Sequence, residues 1–148
     1  MSFSANTVYR DEDQPEFIAQ AQTSYPAFEF RLQNVAKCTE SFDWCVLLGV
    51  VNAIPNPRRV LEVLELSWQR CQRGMLVDFV DQEKLAGPVP NLNSFDLGEC
   101  ASTLLEFGAE AVEVYTTPNT WSIFLARKQS ISCASMADFS VRHTARSG

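Results

Sequence analysis

Apolar and polar positions change rhythm three times between Phe42 and Val80, and each change marks an element. Trp44 to Val51 is an almost unbroken apolar run, Asn52 to Asn56 has turn composition, Pro57 to Arg73 is amphipathic, and Met75 to Val80 is apolar again apart from Asp78. Two apolar runs separated by a helix-length segment predict two buried parallel strands joined by a helical crossover. Val60, Leu61, Leu64, Trp68 and Cys71 recur at helical spacing and define the stripe that faces the sheet. Asn56 is the expected N-cap, and Pro57 suits the first helical position, where no N–H is needed. Arg70 and Arg73 fall in the last turn, where positive charge favours the dipole, and Gly74 is the expected stop. Trp44 and Trp68 are expected in the core.

The flanking segments carry weaker patterns. Thr7–Tyr9 is faintly strand-like. Asp13 followed by Glu16 gives a capping box for a short helix with Phe17, Ile18 and Ala21 on one face, ending before Tyr25-Pro26. Phe28–Val35 alternates apolar and polar and predicts a strand exposed on one side. After Val80 comes a loop over Asp81–Ser94, long enough for a lid or binding segment. Asp96 with Glu99 repeats the capping box, Leu97, Cys100, Ala101, Leu104 and Leu105 form a stripe, and Gly108 ends the helix. Ala111–Thr116 and Trp121–Arg127 are strand-like runs around the turn Thr117-Pro118-Asn119-Thr120. Residues 129–148, rich in Ser and Ala, form a polar tail that holds the only histidine, His143. The expected organisation is one α/β domain over 1–128 followed by that tail.

Composition narrows the function. An apolar share of 46% over 148 residues supports one ordinary core. A net charge of −6 argues against a non-specific nucleic-acid binder, which needs a basic surface to displace counterions. No apolar run reaches membrane-spanning length. The five cysteines, Cys38, Cys45, Cys71, Cys100 and Cys133, are odd in number and show no CxxC spacing. Reduced thiols in a cytoplasmic protein are the expectation, with neither a disulfide framework nor a metal site.

The run FDWCVLLGVVNAIPNPRRVLEVLELSWQRCQRGMLVDFV resembles the fourth strand, following helix and fifth strand of class I S-adenosylmethionine (SAM)-dependent methyltransferases. Phe42-Asp43, Val51-Asn52-Ala53-Ile54-Pro55 and Arg73-Gly74-Met75-Leu76-Val77 carry it by their order and spacing. Upstream, TVYRDEDQPEFIAQAQ is similar to the family's second strand and helix, with Pro15-Glu16-Phe17 as the anchor. The resemblance implies a Rossmann-like α/β sheet, mostly parallel with a C-terminal antiparallel hairpin and flanking helices. It places Glu12 where the family's acid accepts the ribose hydroxyls of SAM, and Asn34 near the residue that faces the adenine. As residues, Glu12 also fits a solvated acidic turn and Asn34 a strand-end turn. Ligands of open α/β sheets lie beyond the carboxyl ends of the strands, which brings in Leu48 to Asn52 and Asp78 to Asp81. Leu48 and Asn52 are accordingly candidates for the cofactor site; Asn52 fits a turn or cap equally well.

One part of the family pattern is missing. Its Gly-rich turn has no counterpart, because Gly49, Gly74, Gly87, Gly98, Gly108 and Gly148 are scattered. The resemblance therefore covers a truncated sheet, about residues 7–128, without the first strand, the Gly-rich loop and the first helix. That strand lies centrally in the family, so its loss leaves strand edges to be completed, by the second or third strand sliding beside the fourth, by a partner chain, or by the favoured arrangement, a homodimer. Three readings stay open. The chain is a SAM-dependent methyltransferase-like enzyme for a small molecule, a non-catalytic interaction protein on the same scaffold, or a fragment of a longer enzyme. Catalytic residues are not identified by any motif.

Overall fold

The computed structural model describes residues 15–31, 33 and 35–129. Helix α1 (Pro15–Ser24) comes first and buries none of its side chains. Strand β1 (Phe42–Leu47) then leads through a 3-10 turn (Val51–Ala53) into helix α2 (Arg58–Arg70), and α2 passes directly into strand β2 (Cys71–Val80), parallel to β1. Asn56 caps α2 as expected, its Oδ1 accepting the Arg58 N–H at 3.1 Å, and Pro57 holds helical angles of φ −55 and ψ −28.

The helix ends sooner than its pattern predicts. Arg73 and Gly74 belong to β2, and Gly74 is not a helix stop. The sheet explains this, since Gly74 is paired with Trp44 and Arg127 across its two neighbours. A Cβ on Gly74 would stand 2.3 Å from the Ala126 carbonyl oxygen and 2.6 Å from the Trp44 ring. Only glycine leaves room for that ring.

Helix α3 (Leu97–Glu106) starts on Asp96, whose carboxylate accepts the Glu99 N–H at 2.9 Å. It stops at Gly108, where φ is +101 and the N–H returns to the Leu105 carbonyl at 2.9 Å. Strands β3 (Ala111–Thr116) and β4 (Trp121–Arg127) form the expected hairpin. The sheet order is β1-β2-β4-β3, with β4 antiparallel to both of its neighbours.

The core lies on one face of this sheet. Leu47, Met75, Val77, Phe79, Phe124 and Ala126 point to it and meet Val60, Leu64 and Trp68 of α2 and Cys100 and Leu104 of α3. Each helix buries a narrow i,i+4 line, so Leu61 and Leu105, expected in the stripes, are exposed. The opposite face carries Trp44, Val46, Leu76, Leu125, Ile123 and Tyr115 in register across the strands. Neither α2 nor α3 covers that face, and Trp44, expected in the core, is 39% exposed on it.

The strand expected over Phe28–Val35 does not form in the described residues; 28–31 and 33 are irregular and Val35–Lys37 is a single 3-10 turn. Alternation makes a strand only when the segment actually pairs with another. Here Gln22 takes backbone groups instead: its Nε2 donates to the Phe28 carbonyl at 2.9 Å and its Oε1 accepts the Phe30 N–H at 3.4 Å. Thr7–Tyr9, the Asp13 cap, Cys133 and the tail from 130 lie outside the described residues. Cys38, Cys45, Cys71 and Cys100 have free thiols, and burial pushes Cys45 up to about 11 and Cys100 up to about 12.

Candidate functional site

The carboxyl ends of the two parallel strands meet where the chain leaves β1 and where β2 gives way to the following loop. The turn after β1 needs a left-handed residue, and Gly49 supplies it at φ +70. That conformation aims the Gly49 N–H at Asp78 near the end of β2, and it donates to Asp78 Oδ1 at 2.8 Å. Leu48, one residue earlier, is 51% exposed beside it.

Asn52 lies behind this pair and is buried. Its Oδ1 accepts the Val80 N–H at 2.9 Å, and its Nδ2 makes long contacts of 3.4 Å to Asp78 O and Asp78 Oδ1. Asn93, from the loop after β2, closes the arrangement. It donates its backbone N–H to the Asn52 carbonyl at 2.8 Å and its Nδ2 to the carbonyls of Val51 and Ile54 at 3.0 and 2.8 Å. The two asparagines together satisfy the backbone groups that a strand–turn–helix junction exposes. The loop is further held by the parallel bridge between Asp81 and Phe95, and by Asp81 Oδ1, which accepts the Glu83 N–H at 3.0 Å. Lys84 Nζ reaches across to the β3–β4 turn, donating to the Thr117 and Asn119 carbonyls at 2.9 and 3.2 Å.

Of the four residues the sequence put forward, the structure therefore brings Leu48 and Asn52 to one place, while Glu12 and Asn34 lie outside the described residues. Leu48 is open to solvent, and the Asn52 amide is turned inward, where it fixes the ends of β1 and β2 relative to each other. Asn93 was not singled out by its sequence position. It contacts a turn about forty residues earlier, and no local pattern announces a bond over that separation. Asp78 is the polar group this end presents: both recorded bonds to its carboxylate go to Oδ1.

SAM requires a carboxylate or similar acceptor for its ribose, a flat apolar wall for its adenine and a backbone cradle for its amino-acid end. Leu48, Gly49 and Asp78 fit one wall of such a site. The described residues hold no glycine cluster for the cradle, so they do not by themselves fit the whole cofactor. No cluster of metal-ligating side chains occurs among the described residues, and no helix among them is long and apolar enough to cross a membrane.

Neither a protein-family model nor a curated protein sequence matches this chain. Solved structures do. Magnesium protoporphyrin IX methyltransferase of Synechocystis PCC 6803, with bound SAM, superposes with a TM-score of 0.64 over 85% of this chain and 60% of its own, at 12% identity. A SAM-dependent methyltransferase from Methanosarcina mazei gives 0.64 over 86% of this chain and 82% of its own, at 13% identity. Human N-acetylserotonin methyltransferase in complex with SAM gives 0.62 over 86% of this chain and 41% of its own, at 18% identity. The chain thus has a class I SAM methyltransferase-like fold, and it spans about three-fifths of the Synechocystis enzyme.

Proposed function

We propose that this chain is part of a SAM-dependent methyltransferase domain that acts on a small molecule, with the cofactor held at the carboxyl ends of β1 and β2. The observation that carries the reading is the joint between those strand ends. A parallel pair is fixed at its ends by Asn52 and Asn93, with Leu48, Gly49 and Asp78 beside a strand edge unpaired among the described residues. On this reading Leu48 lies against the adenine, Asn52 positions the strand ends, and Glu12 and Asn34 take the ribose and adenine contacts their places in the resemblance imply. Methyl transfer is an in-line displacement that depends mainly on alignment and exclusion of water, so few polar side chains are demanded of this half. The amino-acid end of SAM needs groups from outside the described residues.

A second reading has its own support. Asn52 and Asn93 direct their amides at the chain's own backbone, and no glycine cluster is present in the sequence, as in a scaffold that binds partners without the cofactor. Calorimetric titration with SAM and with S-adenosylhomocysteine separates the two. Binding at roughly micromolar concentration, weakened about tenfold or more by Glu12→Ala, is expected of the first. Absence of heat at millimolar ligand sinks cofactor binding by this chain and favours the scaffold or a fragment of a longer enzyme.

A further inference from the structure

The sheet ends on both sides in an unpaired strand among the described residues, and the two rims differ in chemistry. At one rim β3 carries Glu113, tied to Tyr115 Oη at 2.5 Å and to Arg127 Nε at 3.0 Å. At the other, β1 offers an outward row of backbone groups and has no Lys, Arg or Pro between Phe42 and Leu48; Asp43 and a register irregularity between Phe42 and Trp44 are confined to its first residues. Charges, prolines and bulges are the devices by which edge strands normally refuse a partner, and Trp44–Leu47 carries none of them. Trp44 and Val46, 39% and 57% exposed, stand side by side along this rim on the uncovered face.

We propose that the β1 edge is the contact of a homodimer in which β1 of two copies pair antiparallel about a twofold axis. An unpaired row of N–H and C=O groups selects a β-strand as its occupant. The polar β3 rim does not match the apolar side chains of β1, whereas β1 matches itself. With the axis at Cys45, Trp44 of one copy lies opposite Val46 of the other, and this apolar pair occurs twice. The same register sets Asp43 against Leu47 of the second copy, so two chains that each carry a charge of −6 bring no like charges together at the contact. The result is an eight-stranded sheet in which Trp44 and Val46 of the two copies join the uncovered faces. This inference concerns the edge alone and stands whether or not SAM binds.

Light scattering on the full chain after size exclusion tests it. The expected mass is twice 16.6 kDa at about 100 µM, falling to 16.6 kDa for Val46→Lys with an unchanged far-UV spectrum. The lysine replaces an exposed side chain, so folding is not at stake, and the dimer constant should weaken about tenfold or more. Val114→Lys on the opposite rim should leave the dimer intact. As an independent readout, those amides of Trp44–Leu47 that point away from β2 should exchange more slowly as protein concentration rises. A wild-type monomer at about 100 µM overturns the proposal and means that the edge is closed from within the chain or by another protein. An assembly larger than a dimer, or a dimer that resists Val46→Lys and yields to Val114→Lys, overturns it equally.

Discussion

The two faces of the sheet are made by the same strands, one residue out of phase, and they carry side chains of similar type. On one face Met75, Val77, Phe124 and Ala126 are completely buried beneath α2 and α3. On the other, Leu76, Ile123 and Leu125 are half-buried only by their neighbours in the sheet, and Trp44 and Val46 are open. Hydrophobicity alone thus does not make a core; it takes a second layer to remove the side chain from water. The comparison is most easily broken at two adjacent positions of β4. Phe124→Ala should cost about 4 kcal/mol in urea unfolding, because it removes a ring enclosed by Phe79, Val77 and the helices. Leu125→Ala, pointing the other way, should cost about 1 kcal/mol. Equal losses at the two positions would mean that the open face is covered in solution.

Gly74 joins the two faces, because its missing side chain admits the Trp44 ring on the open side while the backbone keeps its place in the ladder. Gly74→Ala should destabilise by about 3 kcal/mol, since the added carbon meets the Ala126 carbonyl rather than a movable side chain. Pairing it with Trp44→Ala should restore little, because the carbonyl contact remains. At the strand ends, Asn52→Ala leaves the buried Val80 N–H without its partner and should cost about 2 kcal/mol. Hydrogen exchange at Val80 is the sharper check, and unchanged protection there would remove Asn52 from its positioning role.

Much of this was legible from the residues. The crossover unit, both capped helices and the C-terminal hairpin follow from signals spread over only a few positions: Asn56-Pro57, Asp96 with Glu99, Gly108, and the turn at Thr117. The misreadings share a cause. Gly74 looked like a helix stop and Trp44 like a core residue, because each is defined by the other across two strands, and a strand pairing is invisible to local pattern. Phe28–Val35 alternates like a strand but pairs with none of the described strands, and Gln22 takes up backbone groups of Phe28 and Phe30 instead. At the candidate site, Asn52 was legible as a polar residue after an apolar strand, while Asn93 was not, since its bonds to Val51 and Ile54 are made only once the loop has folded back.

The smallest expected effect lies on the polar rim of the open face. The Tyr115 hydroxyl and then the Arg127 guanidinium hydrogen-bond the Glu113 carboxylate and hold its pKa below the ordinary carboxylate range, while Glu113 raises that of Tyr115. A depressed folded-state value means that the network contributes fully above the ordinary carboxylate range and is lost as pH falls through the folded value. All three side chains are exposed, so the contribution to stability is slight and the titration itself is the measurement. In a carbon-detected NMR titration Glu113 should show a midpoint below that of an unfolded peptide. Tyr115→Phe should move it upward further than Arg127→Met does, because the phenol is the larger cause. A Glu113 that titrates like a free side chain would remove the network. The β3 rim would then lose the ordered polar edge that distinguishes it from β1, and the apolar edge of β1 would have to be argued on Trp44 and Val46 alone.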